Sequence, residues 1–214
     1  MNNAVRIRPY APADLSAVRQ ICCDTADRGS PIDRFFQDRE VFAELLLDYY
    51  TSYEPEVAWV AEADGRVVGY LTGCLNDRQY QRTMAWRIVP RAIGRAILRG
   101  ALWRAQTWAL LRNALRTHLR GGFRRRIPLD RYPAHLHLNL DGAFRGRQAG
   151  RLLIEQFCAQ VRAAGLAGVY AAVRGDNQDA CAFFERLGFT PISRHPTLLL
   201  HDTWHDTVIY AKSV

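Results

Sequence analysis

The stretch at residues 136–150, LHLNLDGAFRGRQAG, decides how this chain folds. Its first residues predict an apolar strand, and the loop behind them carries glycines and arginines. The next run predicts an amphipathic helix, because Leu153, Phe157 and Val161 fall on one stripe with Ile154 and Cys158 beside it. A strand, a short loop with glycines and a helix start form a phosphate site, since free backbone N–H groups and the positive end of the helix dipole point at the ligand.

A second motif follows this stretch. Residues 169–173, VYAAV, predict another strand, and residues 177–189, NQDACAFFERLGF, predict a helix with its C-cap at Gly188. The order strand, R-x-x-x-x-G loop, helix, strand, N-x-x-A-x-x-F-F-E-x-L-G-F resembles the GNAT family of acetyl-CoA-dependent N-acyltransferases. The resemblance covers the second half of the chain well and residues 1–75 more loosely.

Finer details resemble one branch of that family. These details are the HLHL run at residues 135–138, the YEPE run at residues 53–56 and a long insert in the middle of the chain. They are similar to the acetyltransferase-like domains fused to O-GlcNAcases and to the free-standing bacterial relatives of those domains. The resemblance implies one GNAT-like domain over residues 1–214, of the α/β (α+β) class. We expect a mixed, twisted sheet with helices on both faces and a basic helical insert at about 78–130, between strands 3 and 4.

The resemblance also implies where acetyl-CoA binds. Backbone N–H groups from about Phe144 to Arg151 would hold the pyrophosphate, and the backbone of the preceding strand would border the pantetheine and the thioester. Asn177 would contact the pantetheine arm, although a plain helix N-cap explains it equally well. The implied coenzyme-binding residues are Leu138, Asn139, Leu140, Arg145, Gly146, Arg147, Gln148, Ala149, Gly150, Arg151, Asn177 and Phe184.

Two positions depart from the family pattern. Gln148 stands where the family usually has the middle glycine, and its Cβ is tolerable there if the residue has a helical φ. Phe184 stands where the family often has a tyrosine that protonates the departing thiolate, and phenylalanine has no proton to give. Unassisted departure is reasonable, because the thiol of coenzyme A has a pKa like that of cysteine.

Five residues are candidates for the base that deprotonates the amine. We expect His137 and Glu54 to be catalytic, and we also consider His135, Glu56 and Asp24. A histidine at the centre of a strand beside the thioester is well tuned for this task. The alternative for both histidines is a buried ring that donates to a neighbouring carbonyl, and this alternative suits His135 better than His137.

Length and composition bound the other possibilities. The 214 residues contain 49% hydrophobic residues, which is ample for a core, and no uncharged apolar run is long enough for a spanning helix. The N-terminus has no apolar core of a signal peptide. The five cysteines show no C-x-x-C spacing and sit mostly in apolar stretches. They predict reduced, buried thiols in a cytoplasmic protein.

The first 75 residues predict strand, helix, helix and a hairpin. A strand with Val5 and Ile7 precedes a helix opened by Pro12, and a second helix carries residues 41–49. Strands at 57–62 and 67–75 are joined by the Asp-Gly turn at 64–65. Two last strands are predicted at 198–200 and 207–211. His201, Asp202 and His205 between them are a weak metal pattern, and we predict no metal site.

The insert at residues 78–126 has thirteen arginines and no Asp or Glu. Since the chain's net charge is +8, the other residues together carry −5. The pattern predicts two helices broken near Gly100 or Gln106. We expect Ile93, Ile97, Leu111, Leu115 and Leu119 to be buried. We expect Arg91, Arg95 and Arg99 to form an unpaired face that draws an anionic partner.

Three functions stay open at this point. The first is an acetyl-CoA-dependent N-acetyltransferase that acts on an unidentified amine acceptor, for which the basic insert favours an acidic molecule. The second is a non-catalytic acyl-CoA-binding module, which Phe184 and Gln148 favour. The third is a binder of nucleic acid or a membrane surface through the arginines of the insert, although no nucleic-acid motif accompanies them. We expect a monomer or a homodimer.

Overall fold

A computed structural model describes residues 5–123, 127–146, 148–198 and 203–214, with the side chain of Arg34 excepted. The described residues form a seven-stranded sheet in the order β1-β2-β3-β4-β5-β7-β6. Only the β4–β5 pair is parallel, so the sheet is mixed as predicted. The strands are β1 (Arg6–Pro9), β2 (Trp59–Ala63), β3 (Arg66–Cys74), β4 (Ala134–Leu140), β5 (Gly168–Arg174), β6 (Thr190–Thr197) and β7 (His205–Ser213).

Helices cover both faces of this sheet. The α-helices are α1 (Leu15–Thr25), α2 (Arg39–Ser52), α3 (Asp77–Thr83), α4 (Val89–Leu98), α5 (Ala105–Leu119), α6 (Ala149–Ala163) and α7 (Gln178–Arg186), and a π-helical turn (Met84–Ile88) joins α3 to α4. The core on one face is formed by α6 and α7, with Phe157 and Leu153 fully buried. On the other face α1 and α2 bury Val18, Phe42 and Leu47. Among the described residues no helix is long and apolar enough to cross a membrane.

The hairpin between β2 and β3 forms where the sequence predicts it. Asp64 and Gly65 have φ values of 50° and 72°, the left-handed pair that a two-residue hairpin turn requires. The predicted burial of the cysteines is also observed for four of the five, because all five thiols are free and all but the half-buried Cys181 are buried. Burial in an apolar environment raises the pKa of Cys22 to about 12, so this thiol stays protonated at neutral pH.

The structure places a strand that the sequence did not predict, β6, at Thr190–Thr197, and β7 covers the predicted strand at 207–211. The reason is that β6 is an edge strand, where Pro191 and Pro196 are tolerated because one row of N–H groups needs no partner strand. Most of the strand predicted at 198–200 lies outside the described residues, because Leu199 and Leu200 are not among them, and neither are His201 and Asp202.

The insert is helical and lies between β3 and β4, as predicted, and Gly100 breaks it with a φ of 75°. The predicted burial of its apolar side chains is wrong. Ile93, Ile97, Leu111 and Leu115 are between 47% and 59% exposed, and Leu119 is 75% exposed. In α5 the buried positions are instead the polar residues Asn113 and Thr117.

The unpaired arginine face is also wrong, because acids of α2 and of its N-cap reach the arginines of α4. Arg95 donates to Glu44 at 2.8 Å, and the Arg91 guanidinium lies 3.9 Å from the same carboxylate. Arg99 donates to Asp38 at 2.9 Å. The insert contains no acids of its own, but the helix on which it packs supplies them.

Replacing Arg95 by Gln should therefore destabilise the fold. Glu44 is 2% exposed, and a buried carboxylate that loses its charged partner costs about 1–3 kcal/mol. The free energy of unfolding in urea measures this loss, and adding Glu44→Gln to the variant should recover part of it. The matched control is Arg87→Gln, an exposed arginine of the same insert with no carboxylate within 4.0 Å among the described residues. Equal stability of Arg95→Gln and Arg87→Gln would contradict this account.

Candidate active site

The two parallel strands β4 and β5 separate along their length. They pair only through Ala134, His135 and Leu136 of β4, with Val169, Tyr170 and Ala171 of β5 as partners. Residues 137–140 stay paired with β3 on the other side. The edge of β4 that faces β5 therefore offers free backbone donors and acceptors over its second half, inside a splayed opening of the sheet.

Helix α6 begins next to this opening. Gly150 in its first turn is packed so tightly that a Cβ would lie 3.0 Å from Phe183 Cζ, 3.1 Å from Leu140 Cδ1 and 3.4 Å from Leu138 Cδ2. A larger residue at position 150 would therefore push these side chains aside, so the glycine lets the helix approach β4 closely. No side chain among the described residues caps α6, so the first N–H groups of the helix are available to an anion.

The loop between β4 and α6 carries two left-handed residues. Gly146 has φ 76°, and Gln148, the N-cap of α6, has φ 62°. The condition of a helical φ at Gln148 is therefore not met, and this non-glycine residue bears a left-handed conformation that costs about 1–2 kcal/mol. Its side chain is exposed, which keeps the Cβ out of the core.

The arginines of the phosphate motif have separate surroundings. The Arg145 guanidinium packs directly on Gly29, where a Cβ would collide with it. Arg151 donates to Glu155 at 2.7 Å on the exposed side of α6. Arg147 lies outside the described residues. The structure thus brings Arg145 against the loop after α1 and directs Arg151 along α6.

A cationic groove runs between α6 and α7 beside Arg151. It has a volume of about 460 Å³, and Arg162, Arg186 and Lys212 contribute its other positive charges against the single carboxylate of Glu155. Sequence reasoning missed these three residues because they are separated along the chain and converge only in the fold. Their signal in the sequence is weak, since each is a lone basic residue on a helix or strand.

The loop after α1 closes over the wide end of the opening. Arg174 at the end of β5 donates to Asp27 at 3.0 Å and to Asp176 at 2.7 Å and 3.0 Å, and Asn139 of β4 donates to Thr25 at 2.7 Å. A cavity of about 540 Å³ lies at this junction, between the loop and the start of α7. Asn177, which lines it, is the N-cap of α7 and accepts from Ala180 N at 3.2 Å.

The face of β4 opposite α6, which also carries Asn139, holds a buried polar network. His135 is 3% exposed; its Nε2 lies 2.8 Å from the Tyr50 hydroxyl and its Nδ1 lies 2.9 Å from Asp77 Oδ1. Tyr170 and Gln81 also donate to the Asp77 carboxylate. With a carboxylate at Nδ1 and a hydroxyl at Nε2, the ring of His135 is held in one orientation.

Asp77 stays ionised in this network. Burial raises the pKa of Asp77, but the His135 imidazole close to it and the hydrogen bonds of Tyr170 and Gln81 outweigh burial and hold the pKa below its ordinary value. Sequence reasoning missed Asp77 and both tyrosines. Asp77 follows the N-cap Asn76 and is itself an ordinary acidic residue of a first helical turn.

His137 lies at the point where β4 and β5 part. It is half-buried, and its ring centroid is 5.6 Å from that of Tyr50 and 5.8 Å from that of His135. Its partner on β3 is Thr72, which is 1% exposed and whose hydroxyl has no hydrogen-bond partner among the described residues. Of the two histidines, His137 is therefore the one at the opening, whereas His135 is enclosed.

The three acidic candidates each have hydrogen-bond partners of their own. Glu54 is 8% exposed, and its carboxylate accepts from the Tyr49 hydroxyl and, at 2.8 Å, from Leu75 N. Glu56 is exposed and offers its backbone carbonyl to Gln160. Asp24 is bonded to Arg39. Glu54 thus ties the end of α2 to the end of β3.

Phe184 is enclosed by aromatic rings. It is 7% exposed, and its ring centroid is 5.2 Å from that of Phe189 and 6.2 Å from the stacked ring of Tyr210. The neighbouring Phe183 reaches Gly150 at the opening instead. Position 184 thus holds a buried aromatic ring without a hydroxyl group.

Known proteins resemble this chain both in sequence and in structure. A sequence model of the acetyltransferase (GNAT) family matches residues 122–189. The crystal structure of SsHAT is similar at 28% identity, with a TM-score of 0.75 and coverage of 98% of both chains. The structure of yncA from Salmonella typhimurium with its cofactor acetyl-CoA is 18% identical, with a TM-score of 0.60 over 99% of this chain and 94% of that one. The polyamine N-acetyltransferase of Drosophila melanogaster is 14% identical, with a TM-score of 0.61 over 99% and 100%.

Residues 122–189 thus match the GNAT family of acetyltransferases in sequence, and the solved structures share the fold of the whole chain. The matched residues include all of β4, the loop that follows it, α6, β5 and α7. The predicted α/β fold with a mixed twisted sheet is confirmed. The resemblance to the branch found in O-GlcNAcases stays a prediction.

Proposed function

We propose that this protein transfers an acetyl group from acetyl-CoA to an amine. The observation that carries the proposal is the parting of β4 and β5 after Leu136, directly beside the uncapped start of α6. The free edge of residues 137–140 fits the amide groups of a pantetheine arm, which need backbone partners of this kind. The first N–H groups of α6 fit the pyrophosphate, because they are donors at the positive end of a helix dipole.

The remaining predicted residues take their places in this proposal. Leu138, Asn139 and Leu140 border the pantetheine, and the loop from Arg145 through Gly146, Arg147, Gln148 and Ala149 to Gly150 and Arg151 holds the pyrophosphate. Asn177 fixes the start of α7 at the cavity under the loop after α1. The groove lined by Arg162, Arg186 and Lys212 offers charge to the outer phosphate of the coenzyme.

The chemistry requires an amine that has lost its proton. We propose His137 as the base, because it is the imidazole at the opening and faces the side covered by α1 and α2, where an acceptor can enter. The Tyr50–His135–Asp77 network lies behind it and keeps Tyr50 in position against the His137 ring. In this proposal Glu54 has a positioning role and not a catalytic one, since its two hydrogen bonds fix the end of α2 that carries Tyr50.

The thiolate leaves without a side-chain acid in this proposal. Phe184 has no proton to give, and its ring belongs to the core beside Phe189 and Tyr210. The thiol of coenzyme A has a cysteine-like pKa near 8.5, so the thiolate is a good leaving group at neutral pH.

A non-catalytic acyl-CoA-binding module is the second candidate, and the buried Phe184 is the observation that favours it. Turnover separates the two. Purified protein is incubated with acetyl-CoA and a panel of primary amines: polyamines, amino sugars, and lysine peptides of acidic and basic sequence. Acetylated product is detected by mass, and thiol release is measured in parallel. Product with one amine class above the rate of hydrolysis supports the transferase, whereas binding without product from any amine supports the module.

Replacing Gln148 by Glu should weaken acetyl-CoA binding and leave the fold intact. The two side chains have the same shape, but the new carboxylate faces the proposed pyrophosphate, and at low salt this repulsion should cost about tenfold in affinity. The charge also lies at the start of α6, where the helix dipole stabilises it, so the melting temperature should not fall. Calorimetric titration measures the affinity, with Gln148→Lys as the matched variant of opposite charge. Equal affinities of the two variants would show that this loop is only a turn.

A further inference from the structure

Helix α5 is an amphipathic helix with its apolar side facing outward. Thr117 is fully buried, its hydroxyl accepts from Leu198 N at 3.1 Å, and Asn113 beside it is 7% exposed. The opposite side of the helix is exposed and apolar, and the turn before the helix continues it. We name this surface the α5 face; it consists of Leu102, Trp103, Trp108, Leu111, Leu115 and Leu119.

The spacing of these residues makes them a continuous stripe. Trp108, Leu111, Leu115 and Leu119 recur every three or four residues, so they lie along one side of α5. Their exposed fractions are 59%, 51%, 59% and 75%, and Trp103 in the preceding turn is 92% exposed. Large contiguous apolar surfaces of this kind mark an interaction site, because exposing them to water is unfavourable and a partner that covers them removes this cost.

Positive charge accompanies the stripe. Arg112 and Arg116 are exposed on α5 at its edge, and neither has a carboxylate within 4.0 Å in the described part of the chain. The whole segment 78–126 contains no Asp or Glu. Unlike Arg95 and Arg99, which α2 and its N-cap neutralise, these arginines leave their charge to an outside partner.

The charge decides between the possible occupants of the α5 face. A second copy of this chain related by two-fold symmetry would set arginines against arginines, with no acid of the segment to separate them. A nucleic acid would accept the arginines but offers no apolar surface to the leucines and tryptophans. The surface of an anionic bilayer satisfies both features, since the acyl boundary takes the apolar stripe and lipid phosphates take the arginines.

We propose that α5 and the turn before it lie in the headgroup region of an anionic membrane. Arg112 and Arg116 extend from the edge of the stripe to lipid phosphates while their methylene stems cover apolar surface. Tryptophan suits the boundary between headgroups and acyl chains, because its ring is apolar and its indole N–H is polar. This binding is independent of acetyl transfer and needs neither acetyl-CoA nor an amine.

Vesicle co-sedimentation of the full chain tests the proposal. Vesicles of neutral phosphatidylcholine are compared with vesicles that contain phosphatidylserine, at low and physiological salt and without acetyl-CoA. We expect binding to the anionic vesicles that weakens with salt. The double variant Leu111→Gln/Leu115→Gln should lose binding about tenfold or more through lost apolar contact, and Arg112→Gln/Arg116→Gln should do so through lost charge. The matched control is Arg66→Gln/Arg194→Gln, two exposed arginines outside the insert, which should bind like the parent.

The leucines and arginines to be replaced are exposed, so the variants should keep the melting temperature of the parent. Trp103→Ser, at a position that is 92% exposed, is a further variant that should keep this melting temperature and weaken binding to the anionic vesicles. Several results would overturn the proposal. The first is absence of binding to the anionic vesicles, or binding that none of the insert variants reduces. The second is a concentration-dependent dimer that Leu111→Gln/Leu115→Gln dissociates, which would show that a second copy covers the face. The third is duplex DNA binding that is stronger than vesicle binding and is lost only with the arginines.

Discussion

Replacing His137 with glutamine is expected to lower kcat for acetyl transfer about a hundredfold while acetyl-CoA affinity stays within about twofold of the parent, because general-base catalysis contributes factors of this size. Glutamine fills similar space at the half-buried position but cannot take the proton of the amine. The reacting amine must then lose its proton to water. The measurement is kcat with the amine class that the panel identifies, together with the dissociation constant of acetyl-CoA from calorimetry.

The pH profile sharpens this test. The parent should lose activity as pH falls because the base becomes protonated, and His137→Gln should lack that limb of the profile. The matched control is His118→Gln, an exposed histidine of α5 that should leave kcat unchanged. Unchanged kcat in His137→Gln would exclude this histidine as the base, and a loss of acetyl-CoA affinity equal to the loss in rate would assign it to binding instead.

Replacing Asp77 with asparagine is expected to lower the free energy of unfolding by about 2–4 kcal/mol at pH 7, because removing one partner from a buried charged network leaves the others without their acceptor. Asp77 is 2% exposed and accepts from Tyr170 and Gln81, and it lies 2.9 Å from His135 Nδ1. Asparagine has the same shape but keeps only one acceptor oxygen, so its NH2 group faces either Gln81 or the pair of His135 and Tyr170.

The direction of the pKa shift of Asp77 determines how its contribution to stability changes with pH. The folded-state pKa of Asp77 is depressed, so its contribution to stability is fully present above the unfolded pKa of about 3.9 and is lost as pH falls below it. The difference between parent and Asp77→Asn in urea unfolding should therefore shrink as pH falls below about 4. Asp130→Asn, at a side chain that is 93% exposed, is the control and should change stability by less than about 0.5 kcal/mol. An Asp77→Asn variant as stable as this control would mean that the network adds nothing to the fold.

The parts of the fold that sequence predicted correctly are those fixed by local rules. The β4 strand, its loop and the stripe of Leu153, Phe157 and Val161 in α6 follow from periodicity, and the hairpin follows from Asp64-Gly65. The N-cap role of Asn177 follows from the same kind of rule and is observed. These features depend on residues that lie within one or two turns of each other.

The parts that sequence did not predict depend on distant contacts. The network around Asp77 joins Tyr50, His135 and Tyr170, which come from α2, β4 and β5, and no pattern along the chain links them. The sequence predicts that the apolar side of α5 is buried, whereas the structure buries the side with Asn113 and Thr117. Periodicity finds an apolar stripe but does not tell whether this chain or a partner covers it. Gln148 adopts a left-handed φ that its residue type disfavours, so the geometry of the loop outweighed local preference.

Amide hydrogen exchange with and without saturating acetyl-CoA tests the central claim most directly. The account predicts slower exchange at residues 137–140 on the free edge of β4 and at residues 148–152 at the start of α6, with smaller effects around Asn177. These amides should respond together at one acetyl-CoA concentration, since one ligand covers them all. Unchanged exchange in both stretches at saturating acetyl-CoA, or protection confined to the insert, would contradict the assignment of the opening between β4 and β5 as the site of acetyl transfer.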